Sequence, residues 1–239
     1  MSDFPVALIT DWRGLAGPAI CLQLARAGFS LFINGPEEEI FELQSQDVDG
    51  KILALPFDAS DEDSVQQVFL AGLEVFGRLD VLVNNYYAWN DAPLSEITAA
   101  MWNEVWQVNV RNTFSACRSA APIMQAQEFG KIINVTTTSC FTGHHLQFAA
   151  SASAVHSMTR SLARELAPYV RVNTVAAGML DEPWIDEGGG ELRQMLTKSV
   201  PLKRLCRPAD IADAVTYLAT GADFMTGQML ILDGGETVR

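Results

Sequence analysis

An α/β, doubly wound (Rossmann-like) fold with a seven-stranded parallel sheet in a single domain, residues 1–239, is predicted by three features of this sequence. Short apolar, β-rich runs alternate with amphipathic helical stretches from one end to the other. No internal repeat or linker divides the chain. Hydrophobic residues make up 49% of 239, enough for a sizeable core. Val6-Ala7-Leu8-Ile9 is a continuous apolar run, as a strand buried on both faces requires. After a Gly-containing turn, Ala16, Ile20, Leu24 and Ala27 share one helical face, and Gly28 is placed to end that helix in the left-handed region. Residues 31–33 and 52–55 predict the next two strands. Ser60 is placed to cap a helix whose inner face is Val65, Val68, Phe69, Gly72 and Phe76. A strand at 81–83 precedes a long helical stretch from about 96 to about 125, with Trp102, Val105, Asn109 and Thr113 on one side. Strands at 131–135, 170–173 and 229–232 alternate with helices at 148–166 and after Pro208. Each parallel link needs a right-handed crossover, which yields the doubly wound sheet. Residues 181–190 are the one loose segment, a candidate flap over a pocket.

Charge narrows the function. The chain holds 16 Lys and Arg against 29 Asp and Glu, a net charge of −13. Such a surface repels phosphate backbones and anionic lipid headgroups, so neither nucleic acid nor membrane is an expected partner. No apolar run approaches the ~18–20 residues that span a bilayer. The opening Ser2-Asp3-Phe4-Pro5 carries no basic region or cleavage site, and a cytoplasmic location is expected. Cys21, Cys117, Cys140 and Cys206 have no paired spacing, which predicts free thiols and no metal site.

Several segments carry a resemblance. Thr159-Arg160-Ser161-Leu162-Ala163-Arg164-Glu165-Leu166-Ala167, Arg171-Val172-Asn173, the run from Pro201 through Ile211, Thr226-Gly227-Gln228 and Asp233-Gly234-Gly235 resemble the short-chain dehydrogenase/reductase family. Asp80-Val81-Leu82-Val83-Asn84-Asn85 and Asn109 match it too, so the resemblance covers nearly the whole chain. It implies the fold above and a nicotinamide cofactor, but each functional position has to be checked, because fold does not settle function.

The family's phosphate-binding turn reads Thr-Gly-x-x-x-Gly-x-Gly. Here it is Thr10-Asp11-Trp12-Arg13-Gly14-Leu15-Ala16-Gly17, shorter up to Gly14 and with Asp11 in place of the first glycine. A carboxylate there repels pyrophosphate and Trp12 adds bulk, although pairing of Asp11 with Arg13 would let the turn admit a dinucleotide. The second strand ends Asn34-Gly35-Pro36, with neither an acidic residue for a ribose 2′-hydroxyl nor an Arg for a 2′-phosphate. Asp58 matches the family's adenine contact, or serves as a turn residue leading a helix. Where the family has Asn-Asn-Ala-Gly, this chain has Asn84-Asn85-Tyr86-Tyr87, followed by Trp89. These departures crowd one cleft and predict that side chains plug it.

In the family a Tyr is the general acid/base, a Lys four residues on supports it, a Ser binds the substrate oxygen and an Asn holds a relay water. The resemblance puts the Tyr position at Phe148, the Lys at Ala152, the Ser at Thr137 and the Asn at Asn109. Phe148 has no O–H to donate, and Ala152 removes the ammonium that would lower a phenol's pKa. His144 and His145, in the preceding loop, are alternative bases; His156 is expected at an interface.

Small residues along the helix from Phe148 and the apolar strand at 229–232 look fit for assembly. The resulting expectation is a non-catalytic subunit that pairs with an active homologous NAD-dependent, hydroxyacyl-CoA-type dehydrogenase subunit in a hetero-oligomer, a tetramer, with no cofactor bound by this chain and NAD in the partner. The alternatives are an enzyme with a nicotinamide-independent pocket, of lyase, isomerase or dehalogenase type, acting through His144, His145 or Asp181, and a ligand-sensing module.

Overall fold

The computed structural model describes residues 3–14, 16–35, 50–186 and 190–238. Leu15, Pro36 and the flap's Glu187, Gly188 and Gly189 lie outside the described residues. The elements run β1 (Val6–Ile9), α1 (Gly17–Arg26), β2 (Ser30–Ile33), β3 (Ile52–Ala54), α2 (Glu62–Phe76), β4 (Val81–Asn84), α3 (Ala99–Trp106) and α4 (Asn112–Ala126). They continue as β5 (Gly130–Thr137), α5 (Ser139–Thr142), α6 (Leu146–Glu165), β6 (Val170–Ala177), α7 (Glu191–Lys198), α8 (Pro208–Thr220) and β7 (Met229–Leu232). The strands form one seven-stranded parallel sheet in the order β3-β2-β1-β4-β5-β6-β7. The order reverses between β1 and β4, and a crevice at the carboxyl ends of the strands lies at that reversal.

Both faces of the sheet are covered, which is why its strands read as unbroken apolar runs. On one face Ile9, Val83 and Ile133 pack with Ile20 and Leu24 of α1 and Ile211 and Val215 of α8. On the other, Leu8, Phe32, Leu82 and Ile132 pack with Phe69 and Phe76 of α2 and Cys117 and Met124 of α4. Phe32 stacks on Phe76 with ring centroids 6.0 Å apart. Each such large side chain, fully buried, contributes about 1.5–3 kcal/mol.

Local chemistry sets the helix ends. Gly28 adopts a φ of +88°, the left-handed geometry its position requires. The cap of α2 is Asp61, whose carboxylate accepts the Ser64 N–H at 3.1 Å, one residue beyond the predicted Ser60. Ser60 instead gives its hydroxyl to Asp58. The stretch predicted from about 96 begins at Ala99, after a Thr98 cap, and a π-helical turn (Gln107–Arg111) separates α3 from α4. Two features escaped the sequence reading. β6 extends to Ala177, paired with Thr137 on one side and Leu232 on the other. The loose segment contains a 3-10 turn (Pro183–Asp186) and leads into α7. Among the described residues no helix is long and apolar enough to cross a membrane.

Candidate active site

The turn after β1 meets the end of β4 at the point where strand order reverses. Asn85, fully buried, ties the two together: its Nδ2 donates to the carbonyls of Asp11 (3.0 Å) and Gly14 (2.5 Å), and its N–H donates to the Thr10 hydroxyl at 3.2 Å. A Cβ at Gly14 would collide with the Asn85 carbonyl, and one at Gly17 with the Trp12 backbone. The glycines are therefore needed to fold the turn onto itself and onto β4.

Within that turn the Asp11 carboxylate accepts the Arg13 N–H at 3.0 Å and also the Gly14 N–H. Burial raises its pKa, while the two N–H groups and the Arg13 charge pull the other way. The carboxylate thus takes the donors that the family offers to pyrophosphate. Trp12, half-buried against the core, lies over Gly35 at the end of β2, where a Cβ would lie 3.4 Å from its side chain. Asp58 is exposed in the turn ahead of α2 and accepts the Ser60 N–H and hydroxyl, which lowers its pKa. Asn84 points into the sheet, donating to Asn134 at 2.8 Å and to the Cys117 sulfur at 3.3 Å. Burial pushes the Cys117 thiol up to about 12.

Past β4 the two tyrosines diverge. Tyr86 is buried beside Thr10 and fills a crevice bounded by Asn109, Val135, Phe148 and Ala152, leaving about 10 Å³. That is close to the minimum for one water molecule. Tyr87 is half-buried, and its ring meets Phe148 edge to face with centroids 5.2 Å apart. Asn109, in the π turn, holds this segment in place. Its Oδ1 accepts the Ala88 N–H and its Nδ2 donates to the Ala88 carbonyl, both at 2.8 Å, and to Ser151 Oγ at 3.0 Å.

On the far side of Phe148 a cavity of about 450 Å³ opens at the ends of β5 and β6. Thr137 and Ser139, hydroxyls 3.1 Å apart, stand at its base. Trp89 and Trp184 stack across it at 6.3 Å, and Leu192 and Met195 of α7 close another wall. The Trp184 indole donates to Glu182 at 2.8 Å. Among the predicted bases, His144 and His145 line the cavity, and the His145 ring rests on Trp89 at 5.1 Å. His156 does not line it; burial and Arg160 lower its pKa. Asp181 is paired with Arg193 at 2.8 Å, on the same guanidinium that holds Asp186.

The predicted plug is therefore confined to the crevice beside Ala152. Tyr87 turns its ring onto Phe148, Trp12 packs between Gly35 and the core, and the cavity stays open. The sequence reading missed Ser139 and the α7 wall. Leu192, Met195 and Leu196 recur at helical spacing, a signal that could have found the latter.

A family model described as enoyl-(acyl carrier protein) reductase matches residues 13–237. The chain is 32% identical over 239 residues to a 3-oxoacyl-[acyl-carrier-protein] reductase FabG of Staphylococcus aureus, with 96% of each chain covered. It is 31% identical over 245 residues to an acetoacetyl-CoA reductase of Acinetobacter sp., with 98% of each covered. Among solved structures, ElxO with NADP bound superposes with a TM-score of 0.92 at 24% identity, covering 99% of this chain and 100% of its own. An ElxO variant with a tyrosine changed to phenylalanine, bound to NADPH, has the same TM-score of 0.92.

These findings correct two expectations. The non-catalytic subunit is overturned, because relatives matched over nearly their whole length are reductases by name. The expectation of no cofactor on this chain, with NAD in a partner, belonged to the same reading and falls with it, since relatives matched over nearly their whole length at 31–32% identity are themselves reductases by name. In the structure Asp11 is held within the turn, Trp12 packs at Gly35 and Tyr86 occupies the narrow crevice near Ala152, while the larger cavity beyond Phe148 stays open. With a family model spanning most of its length and relatives above 30% identity, this chain belongs to the short-chain dehydrogenase/reductase family.

Proposed function

We propose that this protein is a nicotinamide-dependent oxidoreductase that binds its own cofactor and reduces a carbonyl group, of the 3-oxoacyl thioester class, in the cavity beside Phe148. The observation that carries this reading is the open cavity of about 450 Å³ at the carboxyl ends of β5 and β6, with the Thr137 and Ser139 hydroxyls at its base. The names of the full-length relatives support the substrate class.

The residues present fit a dinucleotide. The turn at Thr10–Gly17 already surrounds an anionic group, the Asp11 carboxylate, with the N–H groups of Arg13 and Gly14. That makes it an anion-binding turn at the start of α1. An incoming phosphate competes with Asp11 for those donors, and the pKa rise from burial eases the competition by favouring the neutral acid. Bound there, a dihydronicotinamide supplies hydride. The chain's own groups orient the substrate: Thr137 and Ser139 donate hydrogen bonds to its oxygen, and Trp89 and Trp184 hold its apolar portion and exclude water.

Titration of the purified protein with NADPH and NADH, followed by tryptophan fluorescence, tests the reading, together with NADPH consumption in the presence of acetoacetyl-CoA. Saturable binding and substrate-dependent consumption are expected. Asp11→Gly should tighten NADPH binding about tenfold by removing the competing carboxylate. Absence of binding by both wild type and Asp11→Gly would overturn the proposal.

A further inference from the structure

Reduction of a carbonyl needs a proton at oxygen as well as hydride at carbon, and Phe148 has none to give. The groups around the cavity differ in fitness for that task. The alcohols of Thr137 and Ser139 are bonded to each other at 3.1 Å. The imidazoles of His144 and His145 lie in the loop before α6, with His145 packed on Trp89. Tyr86 has a phenol, but it is shut in the crevice against Thr10. Tyr87 remains. Its ring sits edge to face on Phe148 at 5.2 Å, and it lines both the crevice and the cavity. Its hydroxyl has no hydrogen-bond partner among the described residues. Asn109 fixes the backbone next to it through both polar groups of Ala88.

We propose that Tyr87 is the proton donor of this site, a catalytic residue supplied by the β4 loop in place of the one missing at Phe148. This rests on the carbonyl-reductase reading. As hydride from the dihydronicotinamide adds to the carbonyl carbon, the cofactor is oxidised and the C–O π pair moves to oxygen. The Tyr87 O–H bond breaks as that oxygen takes its proton, and water reaching the cavity returns a proton to the phenolate. Burial and the Glu182 carboxylate both raise the Tyr87 pKa, so the phenol stays loaded with its proton in the resting protein. Were an oxidised, cationic cofactor held near Tyr87, its charge would favour the phenolate.

Two measurements on the full chain test this. In steady-state reduction of acetoacetyl-CoA, Tyr87→Phe should lower kcat by about 10²–10⁴, with substrate KM and NADPH Kd within about threefold of wild type. Phe148→Tyr added to Tyr87→Phe should recover part of the loss. Spectrophotometric titration of the phenols, with and without NADP⁺, needs no substrate. One phenol should titrate at lower pH when NADP⁺ is bound, and that step should vanish in Tyr87→Phe. A Tyr87→Phe protein that keeps kcat, or a wild-type phenol titration unmoved by bound NADP⁺, overturns the assignment to Tyr87 and leaves the reductase reading standing. Failure of both wild type and Asp11→Gly to bind either nucleotide overturns both.

Discussion

Ala152, where the resemblance places a lysine, leaves space that the ring of Tyr86 fills down to about 10 Å³. The two positions lie far apart in sequence, yet both line the same narrow crevice. Lysine at 152 alone would overfill the crevice and cost about 1–3 kcal/mol. Tyr86→Ala alone would open a cavity, at a cost of about 3–5 kcal/mol. The double variant should cost clearly less than the two losses added, because the lysine stem occupies the space the ring gives up. Urea denaturation of the four proteins measures this coupling, and strict additivity would show that the volumes are independent. Pattern alone displayed both positions as separate departures, since sequence spacing carries no information about which side chains share a volume. Asp11 was legible in the same partial way. Its charge could be read from the residue type, but not the curl of the turn that hands it the Arg13 and Gly14 N–H groups.

Among the elements, α8 shows how a helix end ties the fold to its acid limb. Asp210 in its first turn accepts the Arg207 N–H at 2.8 Å and two bonds from Arg204, at 2.5 and 3.0 Å. At the other end, the Nζ of Lys131, a residue only 4% exposed, donates to the carbonyls of Ala219 (3.0 Å) and Gly221 (2.6 Å), satisfying groups that a helix end leaves open. Partial burial works against the Asp210 charge, but the bonds from Arg204 and Arg207 outweigh it and hold the carboxyl well below its usual range. A carboxylate with a depressed folded pKa contributes stability that is present above the unfolded value, near 4, and lost as pH falls below it. Wild type should therefore lose about 1 kcal/mol more than Asp210→Asn on going from about pH 5 to about pH 2, after allowance for solvent screening. Thermal denaturation across that range reads it, and parallel curves for the two proteins would contradict the assignment. Most elements were visible in the apolar periodicity. α7 was hidden by the Gly-rich run before it, and the far end of β6, Thr174 to Ala177, lacked a distinct boundary because its residues pair with neighbours remote in sequence on both sides.

Across the whole molecule, a seven-stranded parallel sheet covered on both faces was readable from the alternation of strands and helices, whereas the strand order and α7 were not. Activity was not readable in the same way, because absent side chains at two positions reveal nothing about substitutes brought in from another loop. The net charge of −13 also acts at this scale. It repels a nucleotide approaching from solution, so the association rate for NADPH should rise about two- to fivefold between about 20 and about 200 mM salt. Stopped-flow fluorescence measures that rate, and a fall with salt would mean that a local positive field governs encounter. The same repulsion has a resident counterpart in Asp11. Because that carboxylate is tethered to the very turn it occupies, it behaves as a built-in rival at an effective concentration of about millimolar or more. Under the proposed reading, cofactor capture is then an exchange of one anion for another.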